Sequence, residues 1–149
     1  MQVTAETTIQ RPREEVYAAF ADIPNAPERV SGIDRVEPLS DGPFAPGYEW
    51  RETRTMLGKQ VTEQMQVTQT DAPASYRVES DSRGTHYTTD MIFTEADAGS
   101  TDVLMVFTSR PDALSARLLA PLGFLFAGTF RKLLRRDLED LRTSLEGPG

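Results

Sequence analysis

Apolar residues recur at a helical period over the last third of the chain and at a strand period over much of what precedes it. From Asp112 to Leu145, the residues Leu114, Leu118, Leu122, Phe126, Phe130, Leu134, Leu138, Leu141 and Leu145 follow one another at steps of four or three, the spacing of a single helix face. This predicts one long amphipathic helix. Its first half, Leu118 to Phe130, carries no charge on any side, whereas its second half alternates leucine with charge. A helical stretch apolar all round has to be enclosed, and thirteen residues are too few for a lipid span, which needs about twenty. The rest of the chain is therefore expected to wrap that half. Pro121, Gly123 and Gly128 fall inside it. They read either as a kink at Pro121 with close backbone packing at the glycines, or as small residues leaving room for a guest beside Phe124, Phe126 and Phe130.

The earlier chain reads as strands with one helical interruption. Gln2 to Gln10 alternates, with Val3, Ala5, Thr7 and Ile9 on one face. Arg11-Pro12-Arg13-Glu14-Glu15 opens a helix with proline and acids in the first turn; Val16, Ala19 and Phe20 give it a buried side, and Asp22-Ile23-Pro24 stops it. A second helical turn is expected over Ala26 to Val30, then a strand over Ile33 to Leu39. Tyr48 to Met56 and Lys59 to Thr68 form a hairpin about Leu57-Gly58, which sets Met56 opposite Lys59, Arg54 opposite Val61, Glu52 opposite Glu63 and Trp50 opposite Met65. The other face of this pair is wholly polar and is assigned to water. Ser75 to Ser82 and Thr85 to Thr94 form a hairpin about Arg83-Gly84, with Tyr76 opposite Met91, Val78 opposite Thr89, Ser80 opposite Tyr87, and His86 outward. Thr101 to Ser109 is the last strand, and its Val103 to Phe107 run is apolar on both faces, so the pattern leaves its inner side unassigned.

Composition narrows the function classes. A chain of 149 residues is long enough for one domain with a real core, and its net charge of −7 argues against nucleic acid or an anionic membrane as the main partner. Cysteine is absent, which excludes disulfides and thiolate chemistry and fits a reducing cytoplasm. The first nine residues are polar and lack an apolar signal core, so a cytoplasmic protein with no integral membrane association is expected. Residues 1–146 are read as one domain and 147–149 as a short tail.

The order strand, two short helices, about six antiparallel strands and a long terminal helix resembles the START-like, or helix-grip, superfamily of polyketide cyclases, plant ligand binders and lipid-transfer domains. The resemblance rests on Ile9-Gln10-Arg11-Pro12-Arg13-Glu14-Glu15-Val16-Tyr17, on Gly47-Tyr48-Glu49-Trp50, on Gly99-Ser100-Thr101 and on the leucine-rich terminal helix. It implies an α+β helix-grip fold: a curved antiparallel sheet of six to seven strands wrapped around the C-terminal helix, with two short helices after the first strand. It also implies an internal cavity for a hydrophobic small molecule; no cofactor is expected, and a single histidine with no cysteine argues against a metal site. Members share a cavity and little fixed catalytic chemistry, so activity has to be argued from residues.

Glu52, Glu63 and Arg54 on the inner face form the one constellation suited to catalysis. Two opposed carboxylates in a partly dry cavity cannot both ionise cheaply, so one is expected to have a raised pKa unless Arg54 stands between them. Such a pair can move protons at the carbon next to a carbonyl, as cyclisation of a poly-β-ketone requires. The competing account is a Glu-Arg-Glu network that only satisfies itself, and a one-residue slip would turn the trio outward. Trp50, Met65, Tyr76, Tyr87, Thr89, Met91, Leu122, Phe126 and Phe130 are the candidate ligand contacts. His86, the one histidine, is expected to be exposed. The Arg131, Lys132, Arg135, Arg136 run is followed at once by Asp137, Glu139 and Asp140 and is assigned to a solvated helix face. Three roles follow: a binder or carrier of a lipid, polyketide, aromatic or quinone-like molecule; a polyketide cyclase, aromatase or dehydratase-like enzyme; or a protein-interaction module. A sheet edge or the outer face of the last strand offers a surface for a homodimer.

Overall fold

The computed structural model describes residues 1–114, 116–118 and 127–147. Its elements are β1 (Gln2–Ile9), α1 (Arg13–Ala21), a 3-10 turn (Ile23–Asn25), α2 (Ala26–Arg29), β2 (Ile33–Pro38), β3 (Glu49–Met56), β4 (Lys59–Asp71), β5 (Ser75–Ser82), β6 (Thr85–Glu95), β7 (Thr101–Pro111) and α3 (Ala127–Glu146). The seven strands form one antiparallel sheet in the order β1-β7-β6-β5-β4-β3-β2. The first strand thus pairs with the last, and the two edges are β1 and β2.

Helix α3 lies between those edges. On the β1 side, Thr7 Oγ1 donates to Glu139 at 2.9 Å and the Gln10 amide donates to Glu146 at 2.8 Å. On the β2 side, the Ser31 amide and hydroxyl both donate to Asp140, at 2.9 and 2.7 Å. A curved sheet whose open edges are both fastened to one helix is a helix-grip α+β fold. The apolar stripe explains the docking, because Leu138 and Leu141 are buried and Leu134 and Leu145 pack against the same core.

That core sits under α1. Val16, Tyr17 and Phe20 of α1 meet Ile9, Met91, Phe93 and Val103 of the sheet, with Tyr17 and Phe20 edge-on to Phe93 at 5.5 and 5.2 Å. A smaller cluster of Ile23, Tyr48, Trp50 and Val67 adjoins it.

Both hairpin turns have the two-residue form the sequence predicts. Leu57 and Arg83 have φ of 53°, and the glycines after them 78° and 79°, the left-handed pair that matches the twist of paired strands. Gly84 carries a second constraint, since a Cβ there would stand 2.5 Å from the Ala113 Cβ, and its carbonyl accepts the amides of Asp112 and Ala113. The chain leaving β7 is therefore seated on the β5–β6 turn.

Pairing resolves the face of β7 that alternation left open. Thr101, Val103 and Met105 are buried and Phe107 half-buried on the inner side, while Leu104 and Val106 lie half-buried on the outer side beside Ile92 and Asp90. Two expectations for the helix are corrected. Leu118, expected to be wrapped, is exposed, and a Cβ placed on Gly128 would meet nothing within 4 Å, so this glycine marks no close backbone packing. Pro121, Leu122, Gly123, Phe124 and Phe126 lie outside the described residues.

Candidate functional site

The inner face of the β3–β4 hairpin carries the site's polar centre. The register runs from Met56 opposite Lys59 to Glu49 opposite Gln66, with Glu52 opposite Glu63 and Arg54 opposite Val61. Alternation then sends Trp50, Glu52 and Arg54 to the concave side. Trp50 Nε1 donates to Glu52 Oε1 at 3.3 Å and Arg54 Nε donates to Glu52 Oε2 at 2.7 Å. Arg54 Nη2 reaches across to Asp137 Oδ2 on α3 at 2.8 Å.

Arg54 therefore bridges Glu52 and Asp137, and does not stand between the two glutamates. Burial works against its charge, but the Glu52 and Asp137 carboxylates more than offset this and raise its pKa further above the ordinary range. Burial pushes Asp137 up, with Arg54 opposing. Asp137 is a correction to the solvated-face assignment: it is buried, while Arg131, Lys132, Arg135 and Arg136 are exposed. Its place on the stripe was readable, since it stands seven residues after Phe130 and four before Leu141.

Glu63 is the odd carboxyl. It is half-buried, and among the described residues it makes no ion pair. Burial raises its pKa, the Glu52 charge adds to this, and Arg54 and Arg83 oppose it. The expectation that one of the opposed glutamates is raised is met at Glu63. Tyr87 on β6 is raised by burial first and by Glu63 second, with Arg83 again opposing, so Glu63, Tyr87 and Arg83 share one neighbourhood. Arg83, hidden from sequence reading in a turn, joins the site because its hairpin ends there.

Apolar walls flank this centre. Tyr87 stacks on Phe107 at 5.6 Å and 23°, and Phe107 on Phe130 at 6.1 Å and 21°, a row of three rings running from β6 across β7 to α3. Val61, Met65, Val78, Tyr87, Thr89 and Phe107 are all half-buried. Toward α1 the same face closes: Met91 and Tyr76 are buried, and Tyr76 packs edge-on to Tyr17 at 5.8 Å, its pKa pushed far up by burial. The candidates thus separate. Tyr76 and Met91 belong to packed core, Trp50 is buried as a hydrogen-bond partner of Glu52, and Met65, Tyr87, Thr89 and Phe130 border the half-open part. Leu122 and Phe126 lie outside the described residues. Phe107 went unassigned because its strand is apolar on both faces.

His86 lies on the outer face, as the pairing requires, but it is half-buried where exposure was expected. Its Nδ1 is 2.7 Å from Asp81 and its Nε2 2.8 Å from Glu79. Those two hydrogen bonds, Asp81 first, raise its pKa. Ionised carboxylates only accept, so holding both at once favours the ring protonated on both nitrogens. Asp81, His86 and Asp112 place one ligand-type atom each within 4.8 Å of one another, and both His86 ring nitrogens are already engaged by Asp81 and Glu79. The groove beside it, about 450 Å³, is lined mostly by polar side chains, Glu49, Gln64, Gln66, Glu79 and Asp81 among them, with Met65 as its apolar member.

A family model described as polyketide cyclase / dehydrase and lipid transport matches residues 1–146. The chain belongs to this family. Solved structures similar to this chain agree on the fold. A Thermus thermophilus protein aligns over 98% of this chain and 97% of its own, with 18% identity and a TM-score of 0.78. A START superfamily protein from Mycobacterium smegmatis aligns over 97% of both chains, with 11% identity and a TM-score of 0.77. The di-domain ARO/CYC protein BexL, from a biosynthetic pathway, matches 98% of this chain with 16% identity and a TM-score of 0.73, and the match spans 46% of its length. No curated protein matches the chain. Among the described residues of this family member, no helix is long and apolar enough to cross a membrane.

Proposed function

We propose that residues 1–146 bind and carry a hydrophobic small molecule, of lipid, polyketide, aromatic or quinone-like type, between the sheet and the C-terminal helix. The observation that carries this reading is the gradient along the concave face. It is packed solid at Phe93 and Val103 but only half-covered at Val61, Met65, Tyr87 and Phe107, where a stacked aromatic wall stands near Glu63, a carboxyl with no ion pair among the described residues. Half-covered apolar surface on a concave wall gains from a guest at about 25 cal/mol per Å² removed from water.

A second reading is favoured by the pairing of Glu63 with Tyr87. A carboxyl whose pKa is raised toward neutrality is a better base than a free one, and it can return the proton. In a cyclase reaction the Glu63 carboxylate takes a proton from a methylene flanked by carbonyls. The resulting carbanion forms the new carbon–carbon bond at a distal carbonyl carbon. The Tyr87 hydroxyl donates to that carbonyl's oxygen as it becomes an alkoxide, and the protonated Glu63 gives it the proton, making a hydroxyl. Glu63 then takes the remaining methylene proton and returns it to this hydroxyl, which leaves as water as the carbon–carbon double bond forms. Glu52 and Arg54 serve here as positioning groups, since each is already engaged with Trp50 or Asp137.

Native mass spectrometry of the freshly purified protein, with denaturing release of any bound compound, tests the first reading. One apolar compound retained per chain supports it. A protein that arrives empty, and whose Tm no member of a hydrophobic library raises, ends it in favour of an interaction module. With a ligand in hand, Glu63→Gln separates carrier from cyclase: a carrier keeps affinity within about two-fold, whereas a cyclase keeps binding and loses turnover by about 100-fold or more.

A further inference from the structure

Charge is segregated along the strand direction. The strands alternate in sense, so the Leu57-Gly58 turn, the Arg83-Gly84 turn, the end of β7 and the N-terminus all lie at one end of the sheet. Helix α3 starts near this end, where Phe130 stacks on Phe107, and finishes at the other, where Glu146 takes the Gln10 amide. At the first end the exposed cations are Lys59, Arg83, Arg117, Arg131 and Lys132. Of the acids near them, Asp81 and Asp112 are paired with His86 and Arg110, while Asp34, which accepts from Thr55 and Gln60, and half-buried Glu63 make no ion pair among the described residues, so the cations at this end outnumber the acids. At the far end stand exposed Glu14, Glu15, Asp71, Glu95 and Asp97. The net charge of −7 averages over two ends of opposite character.

The basic end is also the apolar one. Leu57, Leu114 and Leu118 are 76%, 74% and 73% exposed, far above the other exposed large hydrophobics, Leu39 and Ile92 at 38% each. Leu57 is unfavourable twice over, because a bulky side chain occupies a left-handed position and is left in water. It stands on a protruding tip, with nothing within 4 Å of a Cβ placed on Gly58. Leu57 on its turn and Leu114 with Leu118, four residues apart on one helical face, are two apolar tips among cations, and among the described residues they form no groove for a partner helix or strand. They suit a fluid apolar layer beneath an anionic surface, in which each tip inserts independently.

We propose that this end, the end at which the concave face is half-open, docks reversibly on an anionic lipid surface, with Leu57, Leu114 and Leu118 entering the headgroup layer and Lys59, Arg83, Arg117, Arg131 and Lys132 facing the lipid phosphates. As a delivery surface it rests on the guest-binding reading; as a docking surface it stands without it. The acidic end points away and fixes the orientation.

Co-flotation of the full chain with phosphatidylcholine vesicles and with mixed phosphatidylcholine–phosphatidylglycerol vesicles tests this. Binding is expected to the mixed vesicles, weakening with salt, and little to phosphatidylcholine alone. Lys59→Glu with Lys132→Glu replaces two attractive charges with repelling ones and should weaken binding about thirty-fold or more. Leu57→Gln with Leu118→Gln should weaken it at least ten-fold while leaving Tm unchanged, since neither side chain is packed. No flotation with mixed vesicles overturns the proposal, as does capture of the chain by an acidic protein when vesicles fail. Equal flotation of the leucine variant also overturns it, leaving a plain charge effect. Guest binding measured without vesicles in the same variants should be unaltered, so a failure of docking and a failure of guest binding are told apart.

Discussion

At the scale of single residues, Glu63 is where structure and chemistry meet. Its opposition to Glu52 follows from a two-residue turn and strand alternation, and was readable from sequence. Which of the two glutamates is left without a cation was not readable, because it depends on Asp137, a residue 74 positions further on that captures the other side of Arg54. The raised pKa of Glu63 has a sign for stability. A carboxyl whose pKa is higher folded than unfolded costs nothing below its unfolded pKa and destabilises as pH rises through the folded one. Glu63→Gln removes that cost, so it should raise Tm by a few degrees at pH 8, with the gain shrinking to nothing below about pH 4.3. Thermal melts from pH 4 to 8 measure this; a variant less stable than the parent across the range would show that Glu63 is a satisfied structural partner.

Between elements, the Arg54 bridge is the polar counterpart of the leucine stripe. The stripe chose which face of α3 meets the sheet, and the ion pairs choose its register, since Asp137 has to meet Arg54 while Asp140 meets Ser31 and Glu139 meets Thr7. Removing the central cation would leave Glu52 and Asp137 facing one another with little exposure. Arg54→Met is therefore expected to destabilise by about 3 kcal/mol, read from urea unfolding at pH 7, with less loss at pH 5 where a carboxyl can take a proton. Arg54→Lys should recover only part, because an ammonium lacks the planar fork that serves two acceptors at once. A loss under 1 kcal/mol for Arg54→Met would reduce the bridge to a surface pair. The charge run around residue 137 reads as solvated when scanned for composition and as divided when scanned for phase, which is why the bridge escaped a compositional reading.

At the scale of the whole molecule, the described residues make one end packed, acidic and capped by α1, and the other half-covered, basic and rimmed by leucines. A guest held in the open part would be linked to folding. At a concentration about 100-fold above its Kd it should add about 2.7 kcal/mol and raise Tm by about 5–10 °C, the check being a melt against ligand concentration. An apolar compound that binds the surface loosely would give no such concentration dependence. The amino-acid sequence by itself determined the order and type of elements, the register of both hairpins and the stripe that docks α3, because turn geometry, strand alternation and helical phase are local or periodic properties. Only the tertiary structure decided which face of β7 turns inward, which carboxylates share Arg54, that His86 is gripped by two acids, and that the charges part into two ends. Those outcomes depend on distances between residues far apart in the chain, which no period in the sequence encodes.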